Sequence, residues 1–405
     1  MSERVEQSGD VSVERWSGEV PYDSFRVLLL GATGSGKSSF IEALAGRDHT
    51  LGISGGTLDS VTQDVQAFKV VNLEQKWDHG VVWPLFIIDT PGFLDSKMSE
   101  VQVLNKAQIW IEKNGTINVV FYICRITDTR IPGSAQRLMK IIKSLGIPAY
   151  GLIIITSMWD TIWRADAIKR AEDHFSQLRD VMWKHEIRQG ASIVKFENTQ
   201  SSAIEIVAGI PGWRTLNSYR FYPQSNRHLP PLVFSALLDR IQNAQQERQT
   251  ILDDRIRLLS NPDSDLESTL IHSLRDVDER LANYIHQLVN FDPPPKGIDV
   301  NPQSIPYQCL FDIALDSQKY VHAIESALSQ LRFQLSYISR RAKLRNTLCA
   351  AIDDYINAYI SLHTFGAPPP GSPSFVPTVK LSSRDQTKLD KLMKKRQLQL
   401  RDKSD

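Results

Sequence analysis

The sequence predicts an α/β doubly wound domain built on a mostly parallel sheet, followed by a helical, coiled-coil-like C-terminal region. Three observations carry this. From Phe25 to about Phe234, short apolar runs alternate with amphipathic stretches of helical period. Several of the runs, such as "RVLLLG" and "LFIID", are continuously apolar, as in strands covered on both faces. Beyond Pro211 to Pro231, a stretch rich in Pro, Asn, Arg and aromatics, the alternation gives way to long helical stripes.

The strands are expected at Phe25–Leu30, Gln66–Val71, Val82–Asp89, Asn118–Cys124, Gly151–Thr156 and Ser192–Phe196. "TQDVQAFKVV" alternates polar and apolar residues, the pattern of an edge strand. Helices are expected at Lys37–Ala45, Val101–Lys113, Ser134–Ser144, Arg164–His185 and Ser202–Val207. Three long helical patterns follow. The first runs from about Val233 to Leu259, and the second opens with Ser264 and Glu267 in capping-box spacing. The third carries Val321, Ile324, Leu328, Leu331, Leu335 and Ile338, then shifts phase to Leu344, Leu348, Ile352 and Ile356, like a stutter. Such a narrow seam suits a subdomain packed on the sheet domain or self-association through the helices. The organisation read from this is a flexible N-terminus at 1–23, the sheet domain at 24–232, a helical domain at 233–364, and a Pro-rich, basic, flexible tail at 365–405.

Composition narrows the class. The chain has 405 residues and a net charge of +1, so no global field calls for nucleic acid. Cys124, Cys309 and Cys349 are scattered without metal spacing and read as buried free thiols of a reducing compartment. The polar first twenty residues lack the apolar region of a secretory signal, and no apolar run approaches the ~20 residues that span a bilayer. A cytoplasmic protein is expected. The basic tail, "KLDKLMKKRQLQLRDK", reads as solvated, with contact to acidic lipid the less favoured alternative.

The chemistry begins at "LLLGATGSGKSSF". Gly31, four residues, then Gly36-Lys37-Ser38 satisfies the phosphate-loop pattern, with an apolar strand before it and a helical pattern after it. Glycines let backbone N–H groups approach a phosphate, and the helix N-terminus favours the anion. Gly31, Thr33, Gly34, Ser35, Gly36, Lys37, Ser38 and Ser39 are the candidate phosphate contacts. Lys37 bridges phosphates as a point charge, and the Ser38 hydroxyl is offered to Mg²⁺.

About fifty residues on, "LFIIDTPGF" delivers Asp89 to a strand end, where a carboxylate can join the Mg²⁺ shell. The Gly92 N–H is placed to meet a terminal phosphate, and "FLDSKMSEVQVL" after it reads as a mobile switch. Between the two motifs, "LGISGGTLDSVTQDVQ" is too long for a plain connection. Thr62 there can close on Mg²⁺ and the terminal phosphate, with Thr57 its nearest competitor. "GLIIIT" then runs into "SMWD", where Asp160 can accept from guanine N1 and N2 together, a donor pair adenine lacks. Ser157 and Met158 stand where Asn or Thr and Lys are usual. Asn198 or Thr199, at the end of the next strand, is a weaker candidate for the base edge.

These residues resemble those of translation-factor-class GTPases. "GATGSGKSS", "SVTQDVQ", "DTPGF" and "CRITDTRIPGS" resemble more narrowly the branch holding septins, plastid-import receptor GTPases and immunity-associated GTPases. The whole set is most similar to fungal proteins described as G-domain-containing. The resemblance covers about residues 25–210 and implies binding of GTP and GDP with Mg²⁺. It implies a homodimer across the nucleotide face; the apolar seam of the C-terminal helices, which the resemblance does not cover, is the other route to self-association. Phe93 occupies the position where many small GTPases hold a water-aligning Gln, so a slow intrinsic rate is expected. Arg130, with Arg125, is the candidate for charge stabilisation or dimer contact, making Lys37, Thr62 and Arg130 the expected catalytic set. The alternative reading is a nucleotide-binding scaffold with little turnover.

Overall fold

The computed structural model describes residues 4–46, 51–53, 63–76, 82–95, 98–128, 133–210, 229–260, 263–289, 304–331 and 338–401. The chain divides into two compact units, Met1–Ala236 and Leu237–Asp405.

The first unit holds seven strands: β1 (Arg4–Trp16), β2 (Phe25–Gly31), β3 (Gln66–Lys76), β4 (Val82–Asp89), β5 (Val119–Arg125), β6 (Leu152–Ser157) and β7 (Ser192–Lys195). They form one sheet in the order β1-β3-β4-β2-β5-β6-β7. The pairs β4–β2, β2–β5, β5–β6 and β6–β7 are parallel, and β1–β3 and β3–β4 are antiparallel. The helices of this unit are α1 (Lys37–Ala45), α2 (Glu100–Asn114), α3 (Gly133–Ser144), α4 (Ala165–Gln177), α5 (Lys184–Arg188) and α6 (Gln200–Ala208). All seven residues of β2 and all six of β6 are buried, as the unbroken apolar runs require of central strands. Phe40, Ile41 and Leu44 of α1 pack into the same core as Phe25, Val27 and Leu29 of β2. That contact fixes the N-terminus of α1 at the carboxyl end of β2, where a phosphate loop must lie.

Residues 4–23 are not a loose lead. β1 pairs along β3, and its Val5, Val11 and Val13 join the core. Its polar composition hid a period of two at "VSV", which has meaning only once another strand offers its edge. β3 is therefore internal, and the sheet ends at β1 rather than at β3. Where the sequence reads one helix from Arg164 to His185, a π turn at Leu178–Met182 separates α4 from α5. The wider turn carries Trp183 inward, where it is fully buried against Tyr122 at 5.4 Å between ring centroids. His174, on the otherwise polar α4, is buried with Nδ1 3.0 Å from the Ile126 carbonyl oxygen.

The second unit is helical. It is built from α7 (Leu229–Leu258), which begins in the first unit, with α8 (Ser264–Val289), α9 (Ser304–Gln330), α10 (Ile338–Phe365) and α11 (Ser383–Arg401). The third sequence pattern is divided between two helices, α9 ending at Gln330 and α10 beginning at Ile338, before the phase shift at Leu344, and the two pack together through Tyr320, Val321 and Ile324 against Leu344, Tyr355 and Ile356. Asp263, rather than Ser264, caps α8: its Oδ1 accepts from the backbone N–H groups of Asp265 and Leu266.

Described residues of the tail also pack on the helices. Phe375, Val379, Leu381, Leu389, Leu392 and Met393 pack on the α9–α10 cluster. The Tyr307 hydroxyl donates to the Pro373 carbonyl at 2.8 Å, and the Thr378 N–H donates to Gln318 at 2.8 Å. A Pro-rich run extends the backbone, and the apolar residues beyond it had a surface to cover. Cys309 is buried, Cys124 half-buried and Cys349 exposed, so the expectation of three buried thiols holds only in part. Among the described residues, no helix is long and apolar enough to cross a membrane.

Candidate nucleotide site

β2 ends at Gly31, and the chain turns through Ala32–Gly36 into α1. Gly34 and Gly36 take φ of 72° and 95°, left-handed values that a side chain would strain. Gly36 is the N-cap of α1 and supplies no side chain there, so the first turn opens with its backbone donors uncapped by a side chain. Lys37 is 6 % exposed, and its Nζ donates to the carbonyls of Gly31 at 3.2 Å and Ala32 at 3.1 Å. Burial holds its ammonium below the usual lysine range, opposed by the charges of Asp89 and Asp95. The Ser38 hydroxyl donates to Asp89 Oδ2 at 3.1 Å, although 51 residues separate them in sequence. Two oxygen ligands of the kind Mg²⁺ prefers are thus brought together at one helix terminus. Ser39, half-buried on the same first turn, completes the loop.

Phe93, just after β4, is hydrogen-bonded to this loop, while Ser96 and Lys97 of the expected switch lie outside the described residues. Ala32 and Phe93 form a parallel bridge, with Thr33 N donating to the Phe93 carbonyl at 2.7 Å and Phe93 N to the Gly31 carbonyl at 3.0 Å. A Cβ on Gly92 would lie 2.2 Å from Thr33 Oγ1 and 2.5 Å from the Thr33 backbone, so only glycine fits. Phe93 is fully buried, and Asp95 is 6 % exposed. Asp95 Oδ2 accepts from the Thr33 hydroxyl at 3.1 Å, while its Oδ1 accepts from Met98 N at 3.1 Å. Ser99 then closes a capping box with Gln102 at the start of α2. Sequence reasoning passed over Asp95. Its only signal was a carboxylate within three residues of the DTPG turn.

At the opposite end of the loop, Ser157 closes β6 and is 2 % exposed. Its hydroxyl faces Ser35 O at 2.7 Å and Cys124 O at 3.2 Å. Ser157 therefore secures the phosphate loop to the ends of β5 and β6 instead of facing outward to a base. Met158 adopts a left-handed φ of 67° and turns the chain, leaving Asp160 exposed. Asn198, also left-handed at 56°, donates from Nδ2 to Asp160 Oδ2 at 2.9 Å. The two candidate base-reading residues are thus joined. Thr199 is used elsewhere, as the N-cap of α6, which begins at Gln200 and not at Ser202. Trp159 donates from Nε1 to Thr156, and the Lys195 ammonium lies 4.3 Å from the centroid of its ring.

Arg125, at the end of β5, holds Asp128 at 3.2 Å, and its Nη1 lies 4.0 Å from where a Gly34 Cβ would be. Burial pushes the thiol of Cys124, beside it, up to about 12. Thr57, Thr62 and Arg130 lie outside the described residues.

Residues 26–155 match the family model described as a 50S ribosome-binding GTPase. They form a P-loop GTPase G domain. GTP-binding protein A of Dictyostelium discoideum is 39% identical over 116 residues, 28% of this chain and 23% of that protein. The tRNA modification GTPase MnmE of Haemophilus influenzae is 30% identical over 134 residues, 33% of this chain and 26% of that protein. The chain thus spans about a quarter of the length of these curated relatives. Among solved structures, the LeoA bacterial dynamin GTPase from ETEC aligns over 94% of this chain and 80% of its own, with a TM-score of 0.31 and 15% identity.

Proposed function

We propose that the chain binds guanine nucleotides and hydrolyses GTP to GDP with Mg²⁺, slowly. The observation that carries this is the meeting of Lys37, Ser38 and Asp89 at the N-terminus of α1. Lys37 holds the phosphates, Ser38 and Asp89 hold Mg²⁺, and Thr62 is the remaining candidate ligand. The ion supplies charge neutralisation at the terminal phosphates. Asp160 reads guanine, held in orientation by Asn198.

The slow rate follows from Phe93. Hydrolysis needs an aligned water and a counter-charge. Phe93 is fully buried in the bridge to Ala32 and offers no polar group to water. The counter-charge is assigned to Arg125, already beside Gly34, or to Arg130. The resemblance to the septin, plastid-import and immunity-associated branch supports assistance across a homodimer. The burial of Phe93 also favours the second reading, a scaffold whose nucleotide turns over little.

The deciding experiment titrates fluorescent GTP, GDP and ATP analogues into the purified chain with Mg²⁺, beside phosphate release at two protein concentrations. GTP preference with concentration-dependent release supports the assisted GTPase. Binding without release selects the scaffold. Lys37→Ala is expected to abolish triphosphate binding with folding intact, because a buried ammonium is not itself stabilising. Unchanged affinity in that variant would remove the phosphate-loop reading.

A further inference from the structure

The helical unit contains a cavity of about 580 Å³ that the nucleotide reading leaves unused. Its walls come from one face each of α7, α8, α9 and α10. On α7, Arg248, Leu252 and Arg255 recur at the spacing that puts three side chains on one face. Across from them stand Leu274, Leu310 and Ile313, with Ala351 and Ala358 where a packed bundle would place larger side chains. Helical bundles build ligand sites in this way, from facing helices around a space their own side chains do not fill.

The two arginines are treated differently by their surroundings. Arg248, 4 % exposed, is neutralised by Asp278 at 2.8 Å and Asp316 at 3.1 Å. Arg255, 8 % exposed, makes no ion pair and no hydrogen bond among the described residues. Its guanidinium rests on the Tyr320 ring at 4.4 Å, and its Nε has no acceptor. A nine-tenths buried guanidinium whose buried Nε has no acceptor is a costly arrangement unless a further acceptor reaches it. Asp354 in the wall, on which Arg255 acts, is itself held above the usual carboxylate range by burial, which Arg255 only partly opposes.

We infer that this cavity is a binding site for an amphipathic monoanion, an aliphatic body carrying one carboxylate or phosphate. The head group pairs with Arg255, and the body lies against Leu252, Leu274, Leu310 and Ile313. Such a ligand gives the guanidinium the acceptors it lacks and fills the apolar part of the space. The site is independent of the nucleotide reading.

The test uses the full chain and dodecanoate below its micellar concentration, followed by calorimetry, with dodecanol as the neutral analogue. Saturable one-to-one binding of dodecanoate is expected, at least tenfold tighter than dodecanol. Arg255→Met should weaken dodecanoate at least tenfold, Arg255→Lys should retain part of it, and Leu274→Trp should block it by filling the space. Lys37→Ala should leave it unchanged. Equal affinity for dodecanol, or an Arg255→Met variant that binds normally, would overturn the assignment. So would binding to phosphatidic acid vesicles with no binding of free dodecanoate, since that places the anion on a surface. If circular dichroism shows Arg255→Met unfolded, the dodecanoate–dodecanol contrast in the unaltered chain and the Leu274→Trp variant decide the matter.

Discussion

Replacing Asp95 by Asn is expected to tighten triphosphate binding about tenfold and to change diphosphate binding by less than about threefold. Asp95 is almost fully buried beside the phosphate loop, accepts from the Thr33 hydroxyl at 3.1 Å, and acts electrostatically on Lys37. This carboxylate acts on the same ammonium that a terminal phosphate would need. A terminal phosphate arriving there meets like charge and must displace the contact or tolerate it. A hydrogen bond to a charged acceptor contributes roughly 1.5–3 kcal/mol, and the half-exposed Thr33 donor places this one near the lower figure, about 1.5 kcal/mol. That is about tenfold in affinity. Asn keeps the side-chain oxygen that receives Met98 N, so the turn into α2 survives.

The assay is equilibrium titration of fluorescent GTP and GDP analogues into four proteins: unaltered, Asp95→Asn, Thr33→Val and the double variant. Thr33→Val removes the same contact from the other side, so the double variant should gain little beyond either single one. Equal tightening of both nucleotides, weaker GTP binding, or fully additive effects would refute the reasoning.

Three further outcomes follow from the same geometry. Asp160→Ala should erase the preference for guanine over adenine, and Asn198→Ala should reduce it by about three- to tenfold, since it removes only the bond that orients Asp160; competition between GTP and ATP measures both, and an unchanged ratio in Asp160→Ala would withdraw the base assignment. Phe93→Gln should speed phosphate release by supplying the missing polar group, at a cost of about 3 kcal/mol in denaturant unfolding, because it strips a fully buried ring from the bridge to Ala32; unchanged turnover in a folded variant would contradict the assignment of the slow rate to Phe93. Burial holds Asp312, Asp316 and Asp354 above the ordinary 3.8, so the folded helical unit binds more protons than the unfolded chain just above that value, and this contribution to its stability is lost as pH rises. Asp354→Asn should therefore raise the unfolding midpoint at neutral pH and make little difference near about pH 3.5, as read by thermal circular dichroism; no gain at neutral pH would count against it.

The sequence by itself determined what is local or periodic. Unbroken apolar runs marked the central strands β2, β4, β5 and β6, because a strand covered on both faces needs no polar alternation. The phosphate loop was legible because strand, glycines, lysine and helix are consecutive, and a short segment fixes their geometry. Asp89 was legible because a buried strand delivers its last residue to a known end of the sheet. Only the tertiary structure decided which distant residues meet. β1 reads as a polar lead until β3 supplies its edge, and strand pairing is a property of two segments rather than one. Ser157 became a fastener for the phosphate loop because β6 ends against Ser35, 122 residues earlier. Asn198 found Asp160 across 38 residues, and Thr33 found Asp95 across 62, through loops whose sequences carry no record of the approach. The tail's apolar stripe likewise had no meaning until α9 and α10 presented a surface to cover. Periodicity encodes which face of an element is apolar, but the partner that buries it is chosen only when the whole chain closes.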